Sequence, residues 1–178
     1  MFKRVAILTM VGNTRYGRGP GHTAIAIDDK VYSFGDISIC LGNDGVYSSG
    51  WIEMGVRDYI AQNSWRPVVV QELSASKVDA RDVFRHIQRC ADREDEHLGS
   101  GDGSSRAALA VEAGMAAPFD RAGIDTPYKL YQLAKYRGIV SQAYYYWGCT
   151  QRKGEGEFKL SVFYRETENP TPAICQWR

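Results

Sequence analysis

Several features are missing from this 178-residue chain, and each absence closes a route. Net charge is only +1, from 22 basic and 21 acidic side chains, so no global field draws the protein to nucleic acid or to an anionic membrane. No apolar run approaches the ~20 residues that a bilayer-spanning helix needs, which argues against stable membrane insertion. The four cysteines, Cys40, Cys90, Cys149 and Cys175, form no CxxC pair and no Cys/His spacing of the metal-binding kind. They read as mostly free thiols, with Cys90 a small buried residue inside a helical pattern, and no metal or other cofactor is expected. The N-terminal run Val5 to Val11 is short, and "GNTRYGRG" after it offers no small-x-small cleavage site. A buried first strand is the expectation there, in place of a signal peptide. That reading makes the protein cytoplasmic in its producer unless a dedicated secretion machine delivers it to a target periplasm. Internal repeats and low-complexity tracts are absent too.

What is present is an ordinary globular composition, 44% hydrophobic and 24% charged, in a length suited to one domain over residues 1–178. Strands are predicted over 5–11, 22–27 and 30–34, the last two joined by Asp28-Asp29 as a tight hairpin. Another buried strand is predicted over 66–73. A helix follows within 74–94, capped by Ser74 or Ser76, with others over 104–115 ending at Gly114 and over 127–138 with Pro127 in its first turn. Residues 35–64 read as a long ordered loop with at most short elements, and 156–166 as a strand or hairpin arm. The sum is an α+β fold, with an antiparallel sheet packed against helices.

One residue stands out from its strand. In "GHTAIAID" (21–28) a histidine, His22, begins a run of small and aliphatic positions. Alternation puts His22, Ala24 and Ala26 on one face and Thr23, Ile25 and Ile27 on the other. Across the hairpin, Ser33 joins the His22 face. The bulky face has the area of a core. The small face can receive another backbone closely, and the alanine-rich segment "SSRAALA" (104–110) supplies a helix for it. A reactive group at the start of that helix would gain from the positive end of the helix dipole. Histidine on a strand facing a nucleophile at a helix start is the arrangement of a Cys-His hydrolase.

The segment "GPGHTAIAIDDKVYSFG" resembles the histidine strand of circularly permuted papain-like proteins: the permuted NlpC-type peptidases, the PPPDE and YiiX-like hydrolases, and the lecithin:retinol acyltransferase-like enzymes. In that group the histidine strand precedes the nucleophile helix. The family's second motif, commonly written Y-N-x-x-x-N-x-C-(S/A)-(S/T)-x-(V/A)-A-x-x-L-x-x-A-G, is similar to "EHLGSGDGSSRAALAVEAGM" (96–115). The resemblance implies a permuted papain-like fold with the nucleophile position at a helix N-terminus. It also sets Gly103 where the nucleophilic cysteine belongs. Glycine cannot attack, and three explanations stand open: a replaced cysteine, a natural pseudoenzyme that binds without cleaving, or Ser104 as nucleophile with His22 as base. An adjacent serine points about 100° further around the helix, which counts against the third.

The expected function is therefore a cysteine peptidase or amidase acting on peptidoglycan peptides, of the kind used as an antibacterial effector or lysis toxin, with this chain catalytically dead. An immunity or inhibitor protein is the partner such a toxin implies. The alternatives are a non-catalytic binding module of the same fold and a lipid-directed acyltransferase or phospholipase. His22 is the candidate base, and Ser33 or Asp36 its candidate orienting residue. Asp102 reads as a helix cap, His86 as packing, His97 as a solvated loop residue, and "AYYYWG" (143–148) as core aromatics or the wall of a substrate groove.

Overall fold

Residues 5–10 are apolar but for Thr9, and the side chains on both faces are buried, which marks a strand covered on both sides. In a computed structural model, described over residues 2–13, 18–36, 49–64, 66–91, 103–120, 123–124, 126–147 and 150–153, this segment is β1 (Val5–Asn13). The other described strands are β2 (Arg18–Ile27), β3 (Lys30–Asp36), β4 (Ser49–Gly55), β5 (Val68–Leu73), β6 (Val140–Trp147) and β7 (Thr150–Lys153). They form one sheet in the order β4-β3-β2-β1-β5-β6-β7, antiparallel at every pairing. The described helices are α1 (Val56–Gln62), α2 (Ala80–Ala91), α3 (Gly103–Ala113) and α4 (Pro127–Tyr136). The fold is α+β, and no helix of the described residues is long and apolar enough to cross a membrane.

The sheet divides the interior in two. On one side Val5, Ile7, Ile25, Ile27 and Tyr32 pack with Val83 and Ile87 of α2, Ala107, Ala108 and Val111 of α3, and Leu130 and Ala134 of α4. On the other, Ala6, Leu8, Met10, Ala24, Ala26, Val31, Val68 and Val70 pack with Tyr59 and Ile60 of α1. Removing a side chain such as Ile7 or Ile25 from water contributes roughly 1.5–3 kcal/mol, so these two layers dominate the stability.

The face assignment expected for the alanine-rich helix is corrected here. α3 lies on the Thr23, Ile25, Ile27 face, and the small Ala24, Ala26 face receives α1 instead. The physical reason is volume matching: the alanines of α3 leave room for the branched side chains of the sheet, while large Tyr59 and Ile60 fill the hollow over the alanines. Two local readings are filled in and one is corrected. Residues 35–64 contain β4 and α1, which pattern does not disclose because β4 borrows its order from pairing with β3 and α1 spans only 7 residues. The tyrosine-rich segment is a strand, β6, between β5 and β7, in keeping with the β preference of tyrosine. The start of α2 is held by Asp79, whose Oδ1 accepts from the Arg81 N–H at 2.8 Å, and neither Ser74 nor Ser76 takes that place. The segment 156–166 lies outside the described residues.

At the other end of α3, Gly114 lets two backbones meet. Its carbonyl accepts from the Asp79 N–H at 2.8 Å, and an added Cβ would lie 2.5 Å from Val83 Cγ2 and 2.8 Å from the Asp79 carbonyl oxygen. Gly114→Ala is therefore expected to cost ~1–3 kcal/mol through overpacking, read as a lower urea midpoint with an unchanged slope.

On β6, burial and then the hydrogen bond to the Glu72 carboxylate, 3.0 Å away, push the Tyr144 phenol well above its usual range. The folded chain keeps this proton where the unfolded chain releases it. Stability from this group is thus complete below the ordinary tyrosine pKa of about 10 and declines as pH rises beyond it. Tyr144→Phe is expected to shallow the alkaline loss of stability in urea titrations across that range.

Candidate active site

The site is made by a fork in the sheet. β2 stays paired with β1 as far as Met10↔His22 and Val11↔Gly21. β3 stays paired with β4 out to Asp36↔Ser49. Between them, the β2–β3 ladder runs only from Ile27↔Lys30 to Ala24↔Ser33. Beyond that pair a notch opens, bounded by His22 on one side and Phe34 on the other. Gly21, at φ 96°, sets the chain direction just before His22 in a conformation that favours glycine.

The first residue of α3 enters this notch. A Cβ built on Gly103 would lie 2.7 Å from His22 Cε1, 3.1 Å from His22 Nδ1 and 3.0 Å from the Phe34 carbonyl oxygen. One residue on, Ser104 is only 2% exposed, and its Oγ is 3.2 Å from Thr23 Oγ1 across the helix–sheet boundary. So α3 sits on the Thr23 face, yet its tip meets a side chain from the opposite face. This is possible because the sheet no longer separates the two sides at the notch.

His22 is half-buried and held from behind. Its Nε2 is 2.7 Å from Ser33 Oγ on β3, and Ser33 is 5% exposed. Tyr59, fully buried on α1, donates from its hydroxyl to the same Ser33 Oγ at 3.5 Å. The nitrogen that faces position 103 is Nδ1, while Nε2 faces Ser33. On the outer side, the Phe34 ring stacks edge-on to Trp51 at 5.5 Å between centroids, and the Arg106 guanidinium lies 4.8 Å from its centre. Gly103 and Arg106 are three positions apart on α3, so they share a helix face beside the Phe34 strand.

Of the residues singled out in the sequence, the structure brings His22, Ser33 and Gly103 together. Ser104 is directed into the Thr23 contact, away from the ring. Asp36 ends β3, with its side chain outside the described set; Asp102, His97 and Cys149 lie outside the described residues. His86 is on α2, and the Tyr144–Tyr146 pair packs on the α1 side of the sheet, so neither belongs to this notch. Sequence reasoning missed Tyr59, whose tie to Ser33 needs the tertiary fold. It also missed the Phe34–Trp51–Arg106 wall, because the Phe34↔Trp51 pairing needs β4, which the sequence pattern does not disclose.

Comparison with protein-family models, curated proteins and solved structures finds no match to this chain.

The close fit of His22 and Phe34 around Gly103 gives a direct test. Alanine is the better helix former by ~1 kcal/mol, yet here its methyl group must displace the imidazole. Gly103→Ala is expected to shift the His22 ring signals in NMR and to lower stability by ~1–3 kcal/mol in urea despite that propensity gain. Unchanged ring signals would show that His22 does not rest on Gly103.

Proposed function

We propose that this chain carries the framework of a permuted papain-like cysteine hydrolase whose nucleophile position is held by glycine, so that it binds a peptide substrate without cleaving it. The observation that supports the reading is the His22 ring against the first residue of an 11-residue helix, with Nδ1 3.1 Å from the place of a Cβ at 103. In a form bearing cysteine there, the thiolate attacks the amide carbonyl carbon and a tetrahedral oxyanion forms. The first backbone N–H groups of α3 have no intrahelical acceptors and are the natural donors to that oxyanion. His22 then passes a proton from Nδ1 to the leaving amine, the C–N bond breaks, and water hydrolyses the thioester.

The substrate class we propose is the peptide of peptidoglycan, with an antibacterial effector as the setting and an immunity protein as the partner. This rests on the resemblance of the two motifs. A lipid-directed activity has less support. Among the described residues the exposed large hydrophobic side chains are Phe2, before β1, and Tyr128 and Tyr136, near the two ends of α4, so they are spread out and not gathered into one lipid-facing patch.

Gly103→Cys is the deciding substitution. The variant is expected to release new amines from purified peptidoglycan, to release no fatty acid from phospholipid vesicles, and to lose activity with His22→Ala. A folded variant that acts on neither substrate would leave the binding module; fatty-acid release would put the lipid-directed enzyme first.

A further inference from the structure

Two polar atoms buried between the sheet and the helices lack a partner. Gln71 on β5 is 0% exposed, and its Nε2 donates to the Tyr131 carbonyl of α4 at 3.2 Å. A carbonyl only accepts, so this bond fixes the amide with Oε1 on its other side. Oε1 has no hydrogen-bond partner among the described residues, and neither has the hydroxyl of Thr9 on β1, a residue 1% exposed. The register puts both on the face that packs against α3 and α4, since Gln71 lies opposite Ile7 and Thr9 lies opposite Val69. They are diagonal neighbours on adjacent strands, with Cα atoms roughly 7–8 Å apart, a gap that the long glutamine side chain narrows. One of the two atoms is an acceptor without a donor, and the other carries a proton without an acceptor. Such groups are costly to leave unmet in a core.

We propose that one internal water joins Thr9 to Gln71, accepting the threonine proton at Oγ1 and donating to the amide Oε1. Two such bonds of about 2.8 Å each bridge groups that lie ~5 Å apart. The helices leave room for it. One turn after Ser104 and Tyr131 their side chains are Ala107 and Ala134, both fully buried and short. Internal waters make about three bonds, and the same face supplies a third partner. Thr23 on β2 lies directly opposite Thr9, and its Oγ1 is 3.2 Å from Ser104 Oγ. Those two hydroxyls hold two protons and share one contact, so Thr23 has bonding capacity left for the water. A polar row then runs from Ser104 near the tip of α3, by way of Thr23, Thr9 and the water, to Gln71 and α4. The site is a tie between two helices through solvent, and it does not rest on the hydrolase reading.

The test uses the intact chain, with water itself as the probe. In water-selective NOE and ROE spectra, the Gln71 side-chain amide is expected to show cross-peaks of opposite sign in the two experiments, the mark of a water that tumbles with the protein. Thr9→Val keeps the shape of the side chain and removes its hydroxyl. It takes one partner from the water, so the Gln71 cross-peak is expected to weaken and the urea midpoint to fall. In a dry site the same substitution removes an orphaned hydroxyl and raises the midpoint. Thr9→Ser keeps the hydroxyl and is expected to retain the Gln71 cross-peak. Absence of that cross-peak in the unaltered chain overturns the proposal, and so does a raised midpoint in Thr9→Val. A cross-peak unchanged by Thr9→Val overturns it as well, because the water would then not be held by Thr9. None of these outcomes depends on whether Gly103→Cys cleaves anything.

Discussion

Strand pairing that stops early is the constraint on which this site depends. If β2 and β3 stayed paired beyond Ala24 and Ser33, the sheet would close and His22 would remain on the α1 side. Because β2 follows β1 and β3 follows β4, the two strands part, and the unpaired stretch admits the tip of a helix. The helix supplies the backbone N–H groups, the strand supplies the ring, and the adjacent strand supplies both Ser33 and the Phe34 carbonyl. Buried backbone must find partners, so such a gap persists only because the described edges of the notch are bonded on their outer sides.

Side-chain size then fixes how closely these parts approach. The alanines of α3 let the helix axis come near the sheet, and Ser104 with Thr23 places a hydroxyl pair at the seam where an apolar contact would be less specific. Gly103 and Gly114, at the two ends of the helix, allow contacts that a methyl group would forbid. α3 is therefore located by close approach at both ends and by small side chains between. The imidazole is braced by the same logic, with Ser33 and Tyr59 behind it and the helix start before it.

Much of this was legible from the sequence. The strands of the first hairpin, the three longer helices and the pairing of His22 with the start of α3 follow from periodicity, turn residues and the order of two motifs. The sharing of a face by His22 and Ser33 followed from strand alternation alone. The face on which α3 packs did not, because alternation tells which side chains are together and not which partner has the complementary volume. Tyr59 was hidden for a related reason: a 7-residue helix carries too few turns to display a period, and its role comes from the hollow over Ala24 and Ala26. Strand β6 was hidden by its tyrosines, whose place between β5 and β7 shows only in the assembled sheet.

The site also has a position in time. His22, Ser33, Tyr59 and Gly103 come from four separate elements, and the seam between Thr23 and Ser104 joins residues 81 apart in the chain. Closing that distance costs chain entropy that local turns do not, so such contacts belong to the later part of folding in proteins of this type. The hairpin of β2 and β3 can form early, with its histidine exposed to water. The notch exists only after α3 has docked, and it is among the last features the folding chain acquires.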